Sequence, residues 1–101
     1  MTANLELSIL DINIWNFLSY NGLTVEIYYN IPNDKVMCEL YSSFHLMYAY
    51  KVYDKEGNEF PVCGVGDTVN EAFEDCIKNI SERTIELGNY KKVKINVPKL
   101  I

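Results

Sequence analysis

Positive charge is what this chain has least of. Residues 1–90 carry five Lys and Arg against fourteen Asp and Glu, a balance of −9, and the last eleven residues alone reverse it with Lys91, Lys92, Lys94 and Lys99. Nucleic-acid binding rests on neutralising phosphates, so an acidic body argues against direct nucleic-acid contact and suits a partner protein with a basic surface. Cysteine is sparse as well. Cys38, Cys63 and Cys76 are odd in number and contain no Cys-x-x-Cys pair, which offers neither a disulfide framework nor a zinc site. Reduced thiols in a cytoplasmic protein are the simplest reading. The N-terminus lacks the basic-then-apolar layout of a signal peptide, and no apolar run reaches the length of a membrane span. There is one histidine, His45. A nucleophile–histidine pair would need Cys38 from a neighbouring strand, and a sheet histidine making a routine hydrogen bond is the plainer expectation. Alanine is scarce while Asn and Ile abound, a composition common in AT-rich genomes such as those of low-GC bacteria and their phages.

With 101 residues the chain is expected to form a single domain, 1–101, around one modest core. It holds eight Tyr against one Trp. Such residues favour strands, and tyrosine is also enriched at binding surfaces. "LDINIWNFLSYNG" reads as a first helix, with Leu10, Ile14, Phe17 and Leu18 on one face, Asp11 at the positive end of its dipole and Asn21-Gly22 as the stop. "TVEIYYN" alternates as a half-buried strand, and "IPND" is a turn. "VMCELYSSF" and "HLMYAYKVY" read as the second and third strands, with Ser42-Ser43 as a bend or bulge between them. "DKEGN" is a loop. "EFPVCGV" reads as a fourth strand whose Pro61 marks it as an edge or an irregularity.

"GVGDTVNEAFEDCIKNI" then resembles a glycine loop feeding a helix, the usual cradle for a phosphate. The P-loop lysine is absent, and Asp67 would stand where the phosphate must sit. The glycines are better explained as a sharp turn into the helix. Thr68 and Glu71 make a capping box, and Ala72, Phe73, Cys76, Ile77 and Ile80 make a core stripe. Gly88 marks the helix end, and "KKVKINVP" alternates as a last strand. The expected fold is α+β. It has a four- to five-stranded, mostly antiparallel sheet with two helices on one face, in the order α-β-β-β-β-α-β.

Over about residues 10–84 this layout resembles the double-stranded RNA-binding domain, most closely at Gly64-Val65-Gly66-Asp67-Thr68 and Glu71-Ala72. That family contacts RNA phosphates through lysines at the helix start. Thr68, Val69, Asn70 and Glu71 stand there instead, so the resemblance implies the shape without the RNA contact. "YKVYDKEGNEFPVCGVGDTVNEAFEDCI" is also similar to small acidic phage proteins of Gram-positive bacteria. These carry a strand pair, Gly-x-Gly-(Asp/Glu)-Thr and a helix beginning x-x-Glu-Ala. Some such proteins inhibit host machinery or host immunity, including anti-CRISPR proteins. The resemblance implies a non-enzymatic inhibitor that binds a nucleic-acid-handling or defence protein of its bacterial host.

No cofactor or metal site is expected. Candidate protein-binding residues are Glu71, Glu74, Asp75 and Glu82, to which Glu86 adds a further point on the same helical line, and Tyr48 and Tyr50 of the tyrosine-rich sheet. Rows of carboxylates gain from steering toward a Lys/Arg-lined surface, and the tyrosines supply apolar anchors. Other readings are a self-associating module using the edge around Pro61 or the last strand, and a pocket that sequesters a small ligand. Either a monomer or a homodimer is compatible with the sequence.

Overall fold

The structure is a computed structural model and describes residues 12–42, 49–88 and 93–101, with Tyr50 described by its backbone only. Helix α1 covers 12–20. Strands β1 (Leu23–Asn30) and β2 (Lys35–Ser42) follow, then β3 (Ala49–Tyr53), β4 (Glu59–Phe60) and β5 (Cys63–Gly66). Helix α2 (Val69–Ile80), β6 (Thr84–Leu87) and β7 (Val93–Asn96) complete the order. The class is α+β with antiparallel strands, as the alternation of periods in the sequence implies. The strands are divided between two sheets, β1-β2-β5 and β4-β3-β6-β7.

Pro61 explains the division. The expected fourth strand breaks at this residue, which has no N–H to give a ladder. Its first half pairs with β3 as Val52↔Phe60 and Tyr53↔Glu59, and its second half pairs with β2 as Cys38↔Gly64 and Val36↔Gly66. One short segment therefore serves both sheets. The turn before it is fixed by Asp54, whose carboxylate accepts the backbone N–H of Glu56 at 3.0 Å and of Asn58 at 2.9 Å, with Gly57 at φ 85°.

α1 buries Ile14 and Leu18 and ends where Asn21 bonds back to Phe17 and Gly22 takes φ 66°. Leu10 and Asp11 lie outside the described residues. β1 and β2 run in unbroken register from Leu23↔Ser42 to Asn30↔Lys35. Leu23, Val25 and Ile27 share a face with Cys38 and Leu40, and α2 lies over that face. The helix begins at Thr68, whose hydroxyl accepts the Glu71 N–H, so half of the expected capping box is present. Its stripe of Ala72, Phe73, Cys76, Ile77 and Ile80 is buried as the periodicity predicts. The core joins these residues to Val52, Ile85 and Leu87 of the second sheet.

α2 is shorter than expected. It stops at Ile80 and Ser81 caps it with an N–H bond to Ile77 O, so Gly88 is not its terminator. "TIEL" instead forms β6, between β3 and β7. Its β-branched Thr84 and Ile85 favour a strand, and four residues are too few to reveal a period. The expected Ser42-Ser43 bend and His45 lie at or beyond the border of the described residues.

Candidate binding surface

Gly64 and Gly66 are not the sharp turn that the sequence suggested, because neither lies among the positive-φ residues. They allow close approach instead. A Cβ on Gly64 would collide with the Ala72 carbonyl and the Cys76 amide, and one on Gly66 would sit 2.6 Å from the Ala72 amide. Two missing side chains thus let the α2 backbone lie directly on β5. The helix then reaches over the strand edge. Asp75 Oδ2 accepts the Val65 N–H at 2.9 Å, and Asn79 Nδ2 donates to the Cys63 carbonyl at 2.9 Å. Two outward backbone groups of β5, the Val65 N–H and the Cys63 carbonyl, are thus satisfied by helix side chains.

This placement sets the acidic face of α2 beside an open groove of about 770 Å³. Glu71, Glu74, Asp75 and Lys78 line it from the helix, Lys35 and Asp67 stand at one end, and Glu82 and Arg83 at the other. Two of the three cations are already engaged. Lys35 pairs with Asp67 at 2.5 Å, an interaction that raises the lysine pKa. Arg83 donates to the carbonyls of Lys78 and Asn79 at 3.0 Å each and lies 3.5 Å over the Phe60 ring. Glu71 and Glu74 are exposed, and neither joins a side-chain hydrogen bond or ion pair among the described residues.

The expected row of carboxylates is shorter than the sequence suggested. Glu71, Glu74 and Asp75 lie together on α2, but Glu82 follows the helix in a left-handed turn at φ 61°. Glu86 is 7% exposed in β6, paired across the strands with Lys51 on one side and Lys94 on the other. Tyr48 lies outside the described residues, and Tyr50 is placed by its backbone only, at the register shift between Ala49 and Lys51.

A second surface holds two tyrosines of the tyrosine-rich sheet that the sequence suggests, Tyr28 and Tyr41. The face of β1-β2-β5 turned away from α2 carries Glu26 and Tyr28, Met37, Glu39 and Tyr41, and Cys63 and Val65. Glu26 and Glu39 stand directly opposite one another, an arrangement that costs stability. Tyr28 donates its hydroxyl to Glu39 at 2.8 Å, which raises the phenol pKa. The alternation of "TVEIYYN" already groups Glu26 with Tyr28 in the sequence; the register with β2 adds Met37, Glu39 and Tyr41 to that face.

Of the thiols, Cys38 and Cys76 are fully buried and form a hydrogen-bonded pair between β2 and α2. That bond, reinforced by burial, pushes the Cys76 thiol far above the ordinary range. Among the described residues no three His, Cys, Asp or Glu side chains gather as metal ligands, and no helix is long and apolar enough to cross a membrane. In comparisons with known proteins the chain matches no protein-family model, no curated protein and no solved structure.

Proposed function

We propose that this chain is a non-enzymatic binding protein of the small acidic phage-inhibitor type. It docks on a basic surface of a host protein that handles nucleic acid or serves in defence, CRISPR machinery included. The observation that carries this reading is the groove beside α2. Its two cations outside the helix are engaged within the chain, while Glu71 and Glu74 stand exposed on a rigid helix. Fixed carboxylates on an acidic body raise the on-rate toward a Lys/Arg-rich partner and disfavour other acidic proteins. The −9 balance of residues 1–90 gives the long-range field the same sign. The phage and anti-defence assignment rests on the sequence pattern around Gly64–Ala72.

Affinity capture from a low-GC bacterial lysate tests it, comparing wild type with Glu71→Lys/Glu74→Lys. Asp75 is left intact because it also holds β5. One host protein retained by wild type, lost by the variant and released by salt is the expected result. Equal capture by both forms moves the interface off α2. The groove volume of about 770 Å³ favours a second reading, sequestration of a small ligand, since pockets of roughly 300–1,000 Å³ hold such molecules. A rise in melting temperature with a nucleotide panel would support that reading.

A further inference from the structure

The described strands leave four sheet edges, β1, β5, β4 and β7. Natural sheets blunt such edges against pairing with another chain, using short strands, lysines, prolines, bulges or a cover. Three of the four are blunted here. β5 is four residues long and has two of its outward groups, the Val65 N–H and the Cys63 carbonyl, bonded by Asp75 and Asn79 of α2. β4 is two residues long and is followed by Pro61. β7 is four residues long, bears Lys94 and is closed by Pro98.

β1 is the exception. It runs for eight residues without proline, lysine or bulge, and among the described residues it pairs on one side only. Its sequence, "LTVEIYYN", is rich in β-branched and aromatic residues and has a single charge, Glu26. Tyr28 and Tyr29 remain well exposed along it. An edge of this length and regularity is a template for an added strand.

We infer that the outer edge of β1 is the site where two copies of this chain pair, antiparallel across a two-fold axis, into one six-stranded sheet. Self-complementarity selects the second copy and its register. A two-fold axis normal to the sheet keeps each face on its own side, so opposed residues must share a face. Centring the pair on Glu26 would set two more carboxylates in line with the Glu26–Glu39 pair and is disfavoured. Centring it on Ile27 sets Glu26 of one copy against Tyr28 of the other and Val25 against Tyr29, and it engages residues 24–30. Centring on Tyr28 avoids the clash but shortens the ladder. The Ile27-centred register is therefore the longest without opposed like charges. It leaves both α2 grooves outside the interface, so it holds whether or not the proposed partner of α2 exists.

Light scattering on the eluting full chain, over a range of micromolar concentrations, is the first test. The expected mass rises with concentration from one copy toward two. Ile27→Lys adds an inward lysine of the kind natural edges use and is expected to stay monomeric, with circular dichroism confirming that it folds. The register is read separately in a Cys38→Ala/Cys63→Ser background, because Cys38 stands directly opposite Ile27 within the same chain and would compete for a thiol placed there. Ile27→Cys places two sulfurs across the axis, and is expected to give a covalent dimer with oxidised glutathione where Glu26→Cys does not. A wild type that is monomeric throughout overturns the proposal and leaves an extended segment of another protein as the occupant of this edge. A folded Ile27→Lys that remains dimeric overturns it too, as does crosslinking through Glu26→Cys in preference to Ile27→Cys.

Discussion

Gly57 and Gly64 are glycines for different reasons, and substitution separates the two. Gly57 has φ 85° and open space around its Cα, so alanine there meets backbone strain and nothing else. Gly64 has ordinary φ, but its missing side chain is the space that α2 occupies. Gly57→Ala is expected to cost about 1 kcal/mol, the usual penalty for a positive φ. Gly64→Ala must push a helix off a strand and is expected to cost about 3 kcal/mol or more. Urea unfolding of the two variants measures the difference, and equal losses would mean that α2 does not lie on β5 as described. The sequence displayed both glycines plainly. It could not say which constraint each one serves, because a close approach is a property of a partner element that the local pattern does not name.

At the scale of the element, α2 is both a surface and a clamp. Its acidic residues look equivalent in the sequence, at successive positions of one polar face. The structure gives Asp75 a bond to the β5 backbone and leaves Glu74 to solvent. Asp75→Ala is expected to lose about 1 kcal/mol in chemical denaturation, the typical net worth of such a bond, with Glu74→Ala near neutral. Amide exchange at Val65 should quicken in the first variant only. The start of this helix was legible in Thr68 and its stripe in the 3.6-residue period, since caps and periodicity are local signals. Its end was not. Gly88 carries a stop signal at φ 81°, but it follows β6, and the true end at Ile80–Ser81 has no glycine to announce it. In the same way Pro61 advertised an irregular strand, while its assignment to two sheets depends on pairings distant in sequence.

For the whole molecule, the buried thiols set how stability responds to alkali. Hydrogen bonding to Cys38 and burial raise the pKa of Cys76, and burial chiefly raises that of the half-buried Cys63; the same bond lowers the Cys38 pKa, but burial of that thiol opposes the shift, so the two raised thiols set the direction. The folded chain therefore keeps protons that the unfolded chain gives up above about pH 8.5. This stabilisation is present in full below that range and is lost progressively as pH rises toward the raised folded values. Each such thiol contributes a slope of up to about 1.4 kcal/mol per pH unit. Urea midpoints are expected to be level near neutrality and to fall above it, with a shallower fall in Cys76→Ala. A thiol reagent should find Cys38 and Cys76 silent until the chain unfolds.

The lone tryptophan gives this fold a built-in reporter. Trp15 of α1 lies 5.2 Å from the Phe73 ring of α2, the two planes within 24° of parallel, while 41% of its surface still meets solvent. Its emission therefore reads one contact, the seating of the first helix on the second, distinct from that of the eight tyrosines. If α1 detaches before the sheets melt, the fluorescence will change at lower denaturant than the far-ultraviolet dichroism. Coincident curves would instead mark the two helices and both sheets as one cooperative unit.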